Sequence, residues 1–251
     1  MHPANNFFME VHAHSHTARK KWSHYFWEFF MLFLAVTLGF FVENQREHMV
    51  EKHRAKGLVV SLLNDLQHDT TQLNMLIKGR EQKKLLLDSL NSLLQKPLET
   101  IDRNTFYMLV AYASSYFKFS QATGTVSQLK NAGYLRYFSD NELIKNISNY
   151  EFWVQDYKSD EAIELEWING KLQDYKAFNL ENSVFSEILI EKKWPGGTGI
   201  TFHKPDGLHD LKAIVNELRS NNYFMLTLQA PRVNRIAEEL MNYLHKEFHL
   251  N

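Results

Sequence analysis

One stretch constrains this chain more than any other: Trp22 to Val42, WSHYFWEFFMLFLAVTLGFFV. It is 21 residues long and carries no charge from Phe29 to Val42. At about 1.5 Å per residue, a helix of that length covers roughly 30 Å, the hydrocarbon thickness of a bilayer. No other run in the chain compares with it. The stretch therefore predicts a single transmembrane helix, with the remaining 209 residues after it forming a domain on one side.

The flanks refine this expectation. A secretory signal has a short apolar core followed by small residues at a cleavage site. Here Glu43-Asn44-Gln45-Arg46-Glu47 follows the stretch, so an uncleaved anchor is expected. Trp22, Tyr25 and Trp27 cluster at its start, as an interfacial aromatic belt does. Glu28 lies at the inner edge of that belt. It reads as a carboxylate reaching for the headgroups and pairing with His24 one turn back, since a single span has no second helix to complete an ion path. Ala35 and Gly39, four apart, form a small-xxx-small face through which a homodimer could pack. Arg19, Lys20 and Lys21 sit directly before the stretch. They favour a cytoplasmic tail and a periplasmic main domain at the inner membrane.

The tail, residues 1–21, is rich in histidine. His12, His14 and His16 alternate, so an extended chain would turn all three imidazoles to one side. Such a set suits Zn²⁺, Ni²⁺ or Cu²⁺. Three histidines without carboxylate or thiolate partners are an incomplete site, and the plainer reading is a polar tail at the membrane surface.

Composition removes several chemistries. There is no cysteine, hence no disulfide, thiolate metal site or cysteine nucleophile. The net charge of −1 divides into +1 before residue 43 and −2 after it, so neither part is basic enough for nucleic acid. Ten glycines and five prolines favour long helices over a turn-rich β-fold. No phosphate-binding loop, nucleophile elbow, zinc helix or Glu-x-x-His pair is present. The expectation is a protein without catalytic function or cofactor.

After the span, residues 43–56 are strongly charged and read as a helical stalk. The rest, 57–251, reads as a helical bundle. Val59, Leu62, Leu66, Leu73 and Leu76 recur at helical spacing, and a leucine-rich stretch from Leu85 to Leu94 stops before Pro97. Whether one helix covers both, or a break falls near Asp69-Thr70 or Gly79, stays open. A shorter helix is expected over Asp102–Phe117. Thr123 or Thr125 would cap a short helix that Gly133 ends. Ser139 and Glu142 form a capping box before a long helix marked by Leu143 to Tyr175. Its acidic run, Asp156, Asp160, Glu161, Glu164 and Glu166, reads as a solvated face. Trp194 to Gly199 is a loop, with a brief strand expected at Ile200-Thr201-Phe202. Two helices close the chain, over about 208–220 and 222–248, with a kink or break at Pro231. The sum is an all-α fold: one N-terminal transmembrane helix continuing into an antiparallel helical bundle.

Two stretches carry a resemblance. HAHSHTARKKWSHYFWEFFMLFLAV, residues 12–36, resembles the N-terminal signature of a group of uncharacterised single-pass membrane proteins of the Bacteroidota. Phe119, Thr125, Leu129-Lys130, Gly133, Leu135, Asp140 and Leu143, reading T-x-x-x-L-K-x-x-G-x-L at the centre, resemble a motif of related membrane-anchored helical proteins. The resemblance implies an envelope protein with a helical domain and brings no activity, ligand or catalytic residue; partner binding is the separate expectation for a non-enzymatic, membrane-anchored helical module.

Overall fold

The computed structural model describes residues 21–249 except 132, 134, 136–140 and 195. Among these residues the fold is all-α, with no β-strand. The chain divides into two units, Met1–Glu51 and Lys52–Asn251. The first helix, α1, covers Trp22–Leu93 and contributes to both.

Within the first unit, α1 is exposed at every residue except Leu34 and Glu51, which are half-buried. None of its most apolar 18-residue window is buried. Its side chains touch one another instead: Phe26 stacks on Phe30 and Phe29 on Phe33, each pair one turn apart.

Within the second unit, α1 runs without a break past Asp69-Thr70 and Gly79. Gly79 serves close approach: a Cβ there would lie 2.5 Å from the Phe117 ring. The buried positions Val59, Leu62, Leu66, Asp69, Leu73, Leu76, Arg80, Lys83, Leu87 and Leu90 alternate by three and four, a sustained heptad seam. Helix α2 covers Arg103–Ala113, with Asp102 accepting from the Thr105 N–H at 2.8 Å as N-cap. It ends four residues before the expected Phe117. Beyond it the chain has no regular secondary structure and is held by side chains from the bundle: Glu161 accepts from Phe119 N–H at 2.8 Å, and Asp69 from Ala122 N–H at 2.9 Å. Helix α3 covers Gly124–Asn131.

Helix α4, Asn141–Glu166, leads through a π-helical turn at Trp167–Leu172 into α5, Gln173–Asn179. The short α6, Asn182–Ser186, ends in another π-turn, Glu187–Glu191. No strand forms at Ile200–Phe202. Gly199 N–H donates to Ile101 and Ile200 N–H to Leu98, and an isolated antiparallel bridge joins Asp102 to Thr198. That contact is too short to propagate a ladder.

The closing helices differ from the expectation. Helix α7 covers Gly207–Phe224 and passes through a π-turn, Met225–Gln229, into α8, Ala230–Phe248. There is no break at residues 220–222, because Asn222 is buried and bonded inside the bundle. Pro231 is absorbed rather than disruptive. The widened turn just before it relieves the clash between a proline ring and the carbonyl four residues back.

Two apolar cores result. The first joins Val59–Leu76 of α1 to Leu129, to α4 from Leu143 to Tyr157, and to Met225–Leu244. The second joins Leu87–Leu94 to α2, Ile168–Ile188, Ile200 and α7 from Leu211 to Leu218.

Candidate functional site: a buried charged layer

Between the two cores the bundle is polar. On α1 the inward positions between Leu76 and Leu87 are Arg80 and Lys83. On α4, between Tyr157 and Ile168, they are Glu161 and Glu164. On α7, between Leu218 and Met225, the position is Asn222. All are buried, Arg80 fully and Lys83, Glu164 and Asn222 to 1% exposure.

Glu164 is the centre. Its Oε2 accepts from Arg80 Nη2 and its Oε1 from Lys83 Nζ, both at 2.8 Å. Lys83 also donates to the Ser115 carbonyl at 2.7 Å, where the segment after α2 turns inward. Asn222 donates to the Arg80 carbonyl at 3.0 Å, and its Oδ1 accepts from Arg80 Nη1 at 3.4 Å. Burial opposes the ionised form of Glu164, but Lys83 and Arg80 outweigh it and hold the carboxyl below the usual range. Burial pushes Lys83 down. Burial also pushes Glu161 up, against the Phe119 N–H and the Arg80 charge. Arg80 also acts on the buried Tyr157 hydroxyl in this layer, although Arg80 Nε and that hydroxyl make no hydrogen bond of good geometry.

The acidic run on α4 is therefore not one solvated face. Glu161 and Glu164 point inward, and Asp156 and Asp160 both accept from Gln229 Nε2 at the Met225–Gln229 π-turn. Only Glu166 of the five is exposed. Beside the layer, Lys84, Asp88, Arg219, Asn222 and Tyr223 line a cleft of about 380 Å³. Arg219 and Lys84 converge there on Asp88, at 2.7 and 3.0 Å. The bonds among these groups fasten α1, α4 and α7 to one another.

The residues singled out from the sequence lie elsewhere. His12, His14 and His16 fall outside the described residues, as does Ser139 of the capping box. Among the described residues, no group of three or more His, Asp or Glu gathers as a metal site would. In the apolar segment, Trp22, Tyr25 and Trp27 are exposed, and His24 Nε2 lies 3.0 Å from Glu28 Oε1. At 100° per residue, Phe26, Phe29, Phe30, Phe33, Phe40 and Phe41 all fall within about one third of the helix circumference. Glu28, Ala35 and Gly39 fall on the opposite side.

Of the T-x-x-x-L-K-x-x-G-x-L residues, Leu129 and Leu135 belong to the first core. Leu129 is fully buried, Leu135 packs against the same cluster, and Thr125 is buried with its N–H toward Asp65 at 3.4 Å. Lys130 pairs with Glu151 of α4. Gly133 adopts φ +65°, the left-handed conformation expected at a helix C-terminus, and a Cβ there would meet no atom within 4 Å.

No protein-family profile, curated protein or solved structure matches the chain. The geometry alone carries the functional reading.

Proposed function

We propose that this chain is a membrane-anchored, non-enzymatic helical module of the cell envelope. Trp22–Val42 crosses the inner membrane once, the tail is cytoplasmic and the domain of residues 57–251 is periplasmic. There it binds or scaffolds a protein partner, or serves as a sensor-like input domain. The observation that carries this reading is the apolar segment itself. A helix of that length with no buried residue in its most apolar window has no hydrophobic partner among the described residues, and a bilayer is the solvent that fits it. The segregation of six phenylalanines from Ala35 and Gly39 supports lipid contact on one side and a second copy of the helix on the other. The non-enzymatic reading is supported by the layer, where Arg80 and Lys83 both pair with Glu164 inside the bundle.

Photo-crosslinking in intact membranes, followed by mass spectrometry, tests the reading. It predicts crosslinks from the domain to an envelope protein and from the Ala35–Gly39 face to a second copy. Recovery of the chain among soluble proteins, crosslinked to none of these, would refute it.

A further inference from the structure

The second unit holds two apolar cores that the charged layer keeps apart, and this goes beyond the anchored-module reading and is independent of it. Leu76 faces the first core and Leu87 the second, with Arg80 and Lys83 between them. The same order holds on α4, where Glu161 and Glu164 separate Tyr157 from Ile168, and on α7, where Asn222 separates Leu218 from Met225.

This arrangement removes apolar burial, the main non-directional source of cohesion, from one level of the bundle. What joins the cores there is a set of hydrogen bonds and ion pairs. Their net contribution is small, because each charged group is well solvated once exposed. The backbone is interrupted at the same level. A π-turn begins three residues after Glu164 on α4 and three residues after Asn222 on α7. Such turns have i→i+5 geometry and recur where helices carry function. The heptad spacing registers the insertion on α4. Tyr157, Glu161 and Glu164 alternate by four and three, then Ile168 and Leu172 follow at four and four. Of the three helices that cross the layer, α1 alone crosses as uninterrupted α-helix.

We propose that the charged layer is a built-in yield point: the second core, with α2, α5 and the first half of α7, opens as a unit while the first core stays folded around α1, α4 and α8. Opening rehydrates Arg80, Lys83 and Glu164 together and bends α4 and α7 at their π-turns. It exposes the apolar faces of Leu87–Leu94 and Leu211–Leu218.

Native-state hydrogen exchange on the full purified chain, in urea below its unfolding transition, tests this directly. Amides of residues 103–113, 173–179 and 207–218 should exchange through a shared opening at least about tenfold faster than those of 143–157 and 233–244. Within α1, residues 87–93 should follow the fast set and 59–76 the slow one. Exchange of both sets through one opening, at one rate, overturns the proposal without any variant. A triple variant, Arg80→Met, Lys83→Met and Glu164→Leu, should fuse the cores and bring the two sets within about threefold of each other. A folded triple variant that keeps the wild-type gap would mean that the layer is not its cause.

Discussion

Arg80 donates to Glu164 at 2.8 Å with both side chains at or below 1% exposure, joining α1 to α4 across 84 residues of sequence. Lys83 completes the site on the other carboxylate oxygen. Two cations and one carboxylate out of water are stable only as a set, and the variants below separate their contributions.

Glu164→Gln leaves Arg80 and Lys83 buried without their shared counter-charge. Loss of one member of a buried ion pair typically costs about 3–5 kcal/mol, and urea melts at pH 7 should show a loss of that order. The sign with pH follows from the lowered folded-state pKa of Glu164, in which Lys83 and Arg80 override burial. Its stabilisation is present above the unfolded value, about 4.3, and is lost as pH falls through the folded value. The gap between wild type and variant should be full at pH 7 and narrow only in acid.

Glu161→Gln should act in the opposite direction. Burial raises the folded pKa of Glu161, so its ionisation destabilises the fold above that pKa and has no cost below the unfolded value. The amide oxygen can still accept from Phe119 N–H. The variant should have a higher urea midpoint than wild type at pH 7, with the difference vanishing below about pH 4. A lower midpoint at pH 7 would mean that the carboxylate's attraction to Arg80 outweighs its burial.

Gly79→Ala puts a methyl group into the Phe117 ring. Overpacking of this kind costs about 1–3 kcal/mol. Gly57→Ala is the control. It lies on the same helix with nothing within 4 Å of its Cβ, and should be neutral or stabilising by about 0.5–1 kcal/mol. Thermal melts of the pair distinguish the contact from helix propensity.

Gly133→Val should destabilise by about 1–2 kcal/mol through its left-handed backbone, since no neighbouring atom obstructs a side chain there. Gly133→Asn should be markedly milder, because asparagine tolerates that conformation. Equal melting temperatures for the two would show that conformation is not the constraint.

The helices were legible because their apolar residues recur at helical spacing, and the left-handed turn at Gly133 because glycine after a short amphipathic run has few other uses. The charged layer was not. Arg80 and Lys83 occupy the same heptad seam as Leu76 and Leu87, but a search for apolar periodicity passes over polar residues at seam positions. Glu161 and Glu164 were hidden among surface acids such as Glu166, and spacing alone does not say which of them faces inward. The clue was present in the pattern: four-residue steps in succession at Glu164–Ile168–Leu172 mark the inserted residue of a π-turn. The end of α2 at Ala113 depended on long-range bonds, Lys83 to Ser115 and Glu161 to Phe119, which local sequence does not encode.

Membrane anchoring through Trp22–Val42 is the claim on which the functional account rests, and the absence of cysteine makes it directly measurable. Single substitutions Ser15→Cys in the tail and Ser159→Cys on the exposed side of α4 can be probed with a membrane-impermeant maleimide on spheroplasts, alongside alkaline carbonate extraction. The account predicts that the chain stays in the carbonate-washed membrane, that the Ser159→Cys variant labels in intact spheroplasts, and that the Ser15→Cys variant labels only after permeabilisation. Release of the chain into the carbonate supernatant would contradict the anchor, and the reverse labelling pattern would contradict its orientation.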